Sequence, residues 1–130
     1  MEKEFIPYME ALELKELGFD EPCFAWYGSE DIFEISGNYK NSTHTIGYCV
    51  SSPLYQQAFS WFRQKYKLHQ YINQYYGQNF YFHIDDMVHP RRVNEYTVEM
   101  LRTFNESTSY EEAESECLKK LIEIVKTKQS

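Results

Sequence analysis

Ser51-Ser52-Pro53-Leu54-Tyr55-Gln56-Gln57-Ala58-Phe59-Ser60-Trp61-Phe62-Arg63-Gln64-Lys65-Tyr66 is the stretch whose reading decides the fold of this chain. Ser52 suits an N-cap, because its hydroxyl can accept a hydrogen bond from an unpaired first-turn amide. Pro53 then falls at the first helical position, where a missing N–H costs nothing and the fixed φ is already helical. Leu54, Tyr55, Ala58, Phe59, Phe62 and Tyr66 recur at steps of three and four, which is one apolar stripe on a helix. Gln56, Gln57, Ser60, Arg63, Gln64 and Lys67 fall mainly on the other side, and Trp61 flanks the stripe. Burying such a stripe contributes on the order of 10 kcal/mol before entropy, at roughly 1.5–3 kcal/mol per large side chain.

Working outward, the C-terminal end is a second clear helix. Ser109 is placed to cap it, and Glu112 three residues later completes a capping box. Ala113, Cys117, Leu121, Ile124 and Val125 form its stripe, widened by Leu118 and Ile122. Residues 1–18 read as a first helix in which Pro7 suits the start and Gly18 the stop. Cys23 to Tyr27 and Ile32 to Ile35 are β-prone runs around the turn residues Gly28-Ser29-Glu30-Asp31, a hairpin. Ser36 to Gly47 is polar and reads as a long loop. Within it, Asn41-Ser42-Thr43 matches a glycosylation acceptor pattern that a cytoplasmic protein would not use.

Beyond the central helix, Leu68 to Tyr75 and Phe80 to Asp86 flank Gly77-Gln78-Asn79 as a second hairpin. Alternation turns Leu68, Ile72, Phe80, Phe82 and Ile84 toward a core. Met87 to Asn94 reads as a loop and Tyr96 to Phe104 as a fifth strand, with Leu101 breaking its alternation. The order α-β-β-α-β-β-β-α predicts one α+β domain over residues 1–130. Its mainly antiparallel sheet has about five strands, with two to three helices packed on one face.

Composition narrows the function classes. The chain has 130 residues and a formal net charge of −7. Residues 1–50 carry three Lys/Arg against ten Asp/Glu, residues 51–104 six against four, and residues 105–130 four against six. Such a balance argues against general nucleic-acid binding, where a basic footprint is expected, and leaves room for docking on a basic protein groove. No apolar run approaches the roughly 20 residues of a membrane span. Met1-Glu2-Lys3-Glu4-Phe5 lacks the basic-then-apolar character of a secretion signal, so a cytoplasmic location is expected. Cys23, Cys49 and Cys117 are too few and too widely spaced for a disulfide framework or a zinc ribbon.

Three segments carry a family resemblance: Leu14-Lys15-Glu16-Leu17-Gly18-Phe19-Asp20-Glu21-Pro22-Cys23, then Ser52-Pro53 through Arg63, and finally Tyr110-Glu111-Glu112-Ala113-Glu114 with Cys117 through Val125. Together they resemble a family of short uncharacterised proteins of bacterial phages and prophages. The shared motifs are a cap, two helix stripes and a helix stop, so the resemblance brings no catalytic residues and no cofactor. It implies a context: a small accessory protein in the bacterial host cytoplasm that binds and blocks a host protein or ribonucleoprotein, including nucleases of defence systems such as CRISPR.

The outward face of the second hairpin is the candidate partner-binding site. Alternation puts His69, Tyr71, Tyr75, Tyr81 and His83 there together, with Arg91 and Arg92 in the next loop. Tyr and Arg are enriched at interface hot spots. The competing reading is that a second layer covers this face. The alternative function is a small RNA- or DNA-binding module, since aromatic faces with nearby cations also stack single-stranded bases. A second copy of the chain is compatible with either. A second alternative is a metal-dependent enzyme at His83, Asp85 and His89, a two-His, one-carboxylate set whose bland reading is a solvated strand end. Cys49 lies near His44 in sequence, but both fall beside the expected loop, and no motif supports a nucleophile there. No phosphate-cradling glycine motif is present, and no cofactor is expected.

Overall fold

The computed structural model describes residues 2–44, 47, 49–75, 79–87 and 109–129. It is an α+β protein, and the described residues form three α-helices and five strands paired antiparallel. The strands divide between two small sheets rather than forming one. The first has three strands in the order β2-β1-β3: β1 is Cys23–Ser29, β2 is Ile32–Tyr39 and β3 is Val50–Ser52. The second is a hairpin of β4, Leu68–Tyr75, and β5, Asn79–Asp86. The chain forms two compact units, Met1–Ala58 and Phe59–Ser130, and the boundary falls inside the central helix. The expected strand at Tyr96 to Phe104 lies outside the described residues, as does the expected loop from residue 88 onward.

In the first unit, helix α1 is Tyr8–Glu16, shorter than the expected span of residues 1–18. Glu2–Glu4 forms a separate 3-10 turn, and Phe5 bridges Leu54. The helix ends as Gly18 suggested. Gly18 takes φ 95°, its N–H bonds the Lys15 carbonyl, and the Phe19 N–H reaches back to Leu14. Those two bonds satisfy carbonyls that the helix end leaves open. Ala11 and Leu14 of α1 are buried with Ile6, Phe19, Ala25, Tyr27 and Val50.

β1 is the central strand, pairing β2 on one side and β3 on the other. β2 runs through Ser36-Gly37-Asn38 to Tyr39, residues expected to be loop. The register slips between Cys23↔Tyr39 and Ala25↔Ile35, and Gly37 sits in that slip at φ 77°. A Cβ there would overlap the Tyr39 ring, so the position requires glycine for both conformation and space.

The short strand β3 overrides the local signal at Ser52. Its hydroxyl does not cap the central helix; it donates to the Ile6 carbonyl at 2.6 Å, while the Ile6 N–H bonds Pro53 O. Helix α2 is therefore Tyr55–Tyr66, its first bond running from Ala58 N–H to Leu54 O. Tyr55, Ala58, Phe59 and Phe62 of its stripe are buried, and so is the flanking Trp61.

In the second unit, Lys67 at φ 58° turns the chain from α2 into β4, and the Met87 N–H bonds Lys67 O across the base of the hairpin. The ladder runs without a slip from Leu68↔Asp86 to Tyr75↔Asn79. Helix α3, Tyr110–Gln129, packs on both strands. Ser109 caps it as expected: its hydroxyl accepts the Glu112 N–H at 3.1 Å and meets the Glu112 carboxylate at 3.3 Å. Ala113, Cys117, Leu118, Leu121, Ile122, Ile124 and Val125 are buried, with Leu68, Phe82 and Ile84 of the hairpin. Burial pushes the Cys117 thiol well up and, in the first unit, the Cys23 thiol up to about 12, so both stay protonated. Among the described residues no helix is long and apolar enough to cross a membrane.

Candidate functional site

The unbroken register of β4 and β5 fixes which side chains share the outward face of this hairpin. Tyr71 is directly opposite His83, His69 opposite Asp85, and Asn73 opposite Tyr81. All six stand on the side away from Leu68, Phe82 and Ile84, because successive side chains of a strand alternate. The sequence reading therefore placed His69, Tyr71, Tyr81 and His83 together correctly. Tyr75 occupies the expected register position opposite Asn79. Arg91, Arg92 and His89 lie outside the described residues.

Alternation alone could not show how the rings are arranged. His69 stacks on Tyr71 with centroids 4.4 Å apart and planes 14° apart, and Tyr71 stacks on His83 at 4.5 Å and 20°. Tyr71 thus engages one imidazole from its own strand and one from across the ladder. Ring pairs of this kind contribute about 0.5–1.5 kcal/mol each beyond buried area. They also hold three side chains in one geometry before any partner arrives. Tyr71 remains 36% exposed.

The same arrangement bears on the metal reading. His83 Nε2 lies 3.7 Å from Asp85 Oδ1, an ion-pair distance too long for a hydrogen bond. Asp85 Oδ1 is buried without a hydrogen-bond partner among the described residues. Yet His69 and His83 both turn their planes to Tyr71 rather than their nitrogens to a common point. Among the described residues no group of three or more His, Cys, Asp or Glu is placed to hold a metal ion.

A second group of polar residues gathers in the first unit, where the sequence suggested His44 with Cys49. The structure pairs His44 with Ser51 instead: His44 Nε2 is 2.9 Å from Ser51 Oγ. This looks like a nucleophile and its base, but the protons are placed otherwise. Ser51 Oγ donates to the Tyr39 carbonyl at 2.9 Å, and a hydroxyl has one proton to give. His44 Nε2 must then carry the hydrogen and donate to Ser51, which leaves no base facing the hydroxyl. Ser51 is also only 1% exposed. Burial, with Lys15 nearby, pushes the His44 pKa down, favouring the neutral ring. His44 also stacks on Tyr39 at 5.5 Å and approaches Trp26 at 6.1 Å.

Asn41 completes this tie. Its Nδ2 donates to Phe19 O at 2.8 Å and its Oδ1 accepts the Ser51 N–H at 2.8 Å, so both ends of the side-chain amide are occupied. Asp20 accepts the Ser42 N–H at 2.7 Å, a bond that lowers its pKa. The group is a clasp holding residues 39–44 against β3. Sequence reasoning missed it because its members lie far apart in sequence and β3 is only three residues long.

Comparison of the chain with protein-family models, with curated proteins and with solved structures finds no match.

Proposed function

We propose that this protein works by binding: the outward face of the β4–β5 hairpin docks a partner protein or nucleoprotein. The observation that carries the reading is the parallel stack of His69, Tyr71 and His83 on a face that α3 does not use. Rings already ordered lose little conformational freedom when a partner covers them. The phage resemblance supplies the biological setting, an accessory protein acting on a host target such as a nuclease of a defence system.

The same stack favours a protein partner over single-stranded nucleic acid. A base binds by lying on a free aromatic face. Tyr71 already stacks with two imidazoles, which leaves less of its ring surface for a base and favours contact through its edge and hydroxyl.

The test is affinity purification from an expressing bacterial host followed by mass spectrometry, with wild type against the pair Tyr71→Ala and Tyr81→Ala. The expected result is a specific host protein recovered with wild type and at least about tenfold depleted with the variant, as for loss of interface hot spots. Circular dichroism should be unchanged. Equal recovery with a folded variant overturns this site. A complex with single-stranded RNA or DNA at low salt that weakens steeply as salt rises would replace it with the nucleic-acid reading.

A further inference from the structure

We propose that the outer edge of β2 is a docking edge for an extended, cationic peptide segment of a partner protein, which adds to the three-stranded sheet as a fourth strand. The surface belongs to the first unit and stands independently of the β4–β5 face.

The two edges of this sheet are treated differently. The β3 edge is closed: Asn41 Oδ1 takes the Ser51 N–H, Ser52 Oγ reaches Ile6 O, Ile6 N–H bonds Pro53 O, and all three β3 residues are buried. The β2 edge is eight residues long, and no strand pairs with its outer side among the described residues. Proteins ordinarily blunt such an edge with lysine, proline or a central bulge. β2 has no lysine and no proline; its register slips fall between Ile32 and Phe33 and across Ser36-Gly37-Asn38, leaving Phe33, Glu34 and Ile35 in regular pairing. Unpaired N–H and C=O groups on a regular edge are a template for an added strand.

The side chains around this edge say what kind of strand fits. Phe24 is 61% exposed, Ile32 53%, Ile35 45% and Tyr39 42%, an unusual share of apolar surface for one hairpin. Around them the charge has one sign. Asp20, Glu21, Glu30, Asp31 and Glu34 are all exposed, and Lys40, after the strand ends, is the one cation between residues 20 and 40. The whole first unit carries three Lys/Arg against ten Asp/Glu, whereas the second carries ten of each. A second copy would bring the same excess of carboxylates to the edge. A segment alternating β-branched and basic residues would set its basic groups on the face of Glu34 and its aliphatic groups on the opposite face, with Phe33 and Ile35.

The probe is a synthetic peptide of alternating lysine and valine, titrated into the full chain by calorimetry. Three results are expected. The peptide binds at low salt and weakens as salt rises, since exposed charge pairs are screened. Glu34→Lys lowers affinity by at least about tenfold with unchanged circular dichroism, through loss of one attraction and gain of one repulsion. The same peptide N-methylated at alternate amides binds at least about tenfold more weakly, because it cannot donate to the β2 edge. Equal binding of the N-methylated peptide overturns strand addition even though charge attraction persists. No binding to wild type, or indifference to Glu34→Lys, overturns the site. Sedimentation showing a concentration-dependent dimer disrupted by Glu34→Pro would assign the edge to a second copy instead. None of these measurements touches Tyr71 or Tyr81, so their failure and failure of the β4–β5 reading are distinguishable.

Discussion

The two hairpins are nearly equal in length yet opposite in construction. β4–β5 pairs in one unbroken register and gives its inner face to the twenty-residue helix α3. β1–β2 slips register twice, and among the described residues only β1 of its two strands has a strand on both sides. Consequently Phe82 and Ile84 are buried, whereas Ile32 and Ile35, in an equally apolar strand, are exposed. Hydrophobic pattern alone does not decide burial. What decides it is whether a second layer is available for the face the pattern defines.

The sharpest way to break this comparison is to truncate matched isoleucines. Ile84→Ala should cost about 2–5 kcal/mol by denaturant unfolding, the range for a fully buried aliphatic side chain. Ile35→Ala should change stability by no more than about 0.5 kcal/mol, as for an exposed site. Equal losses would mean that β2 is covered after all.

Next comes the register slip. Gly37→Ala should destabilise by about 1–3 kcal/mol, because it forces a left-handed backbone on alanine and drives a methyl into the Tyr39 ring. Gly47→Ala, with open space around its Cβ position, is the control and should be near neutral in the same melts. A neutral Gly37→Ala would show that the slip relaxes freely.

The pH dependence of the clasp is smaller. The folded state lowers the His44 pKa, so the unfolded state binds more protons over the window just below the ordinary histidine value of about 6.5. The stabilisation is present above that value and is lost as pH falls through the window. The melting temperature should therefore drop between pH 7.5 and pH 5, and His44→Gln should flatten that drop. Asp20 acts with the same sign in a more acidic window, below its ordinary 3.8. A His44→Gln variant with an undiminished drop would assign the dependence to other groups.

The smallest expected effect lies at the entrance to the regular hairpin. Lys67→Gly should stabilise by about 0.5–1 kcal/mol, because a non-glycine residue at φ 58° carries a steric cost that glycine does not. A loss of stability would show that the Lys67 side chain matters more than its backbone.

The same contrast explains what could be read in advance. Helices α2 and α3, the Gly18 stop, the Ser109 cap and the faces of β4–β5 follow from spacing within a dozen residues, and the structure has them. Ser52 looked like a cap because a serine before proline fits one locally, but a carbonyl 46 residues away in sequence claimed its hydroxyl. β3 contributes three residues and one aliphatic side chain, Val50, too little to show a period. Ser36-Gly37-Asn38 reads as loop because its residues favour turns, and it is held in β2 by pairing across the slip. Of the candidate face, alternation gave the membership of His69, Tyr71, Tyr81 and His83. It gave nothing of their stacking, which depends on ring rotation rather than on residue order.

The clasp at Asn41 has one further consequence, for the chemical ageing of the chain. An asparagine followed by serine is lost when the next backbone nitrogen attacks the side-chain carbonyl carbon and ammonia leaves. Here the attacking nitrogen, that of Ser42, is tied to the Asp20 carboxylate, and the amide it would attack is pinned at both ends by Phe19 and Ser51. The ring closure needs both groups to turn toward each other, and the fold holds each facing elsewhere. Were the conversion to occur, the new carboxylate oxygen would face the Phe19 carbonyl, acceptor against acceptor. The contacts that fasten residues 39–44 to β3 thus also protect the bond whose loss would unfasten them.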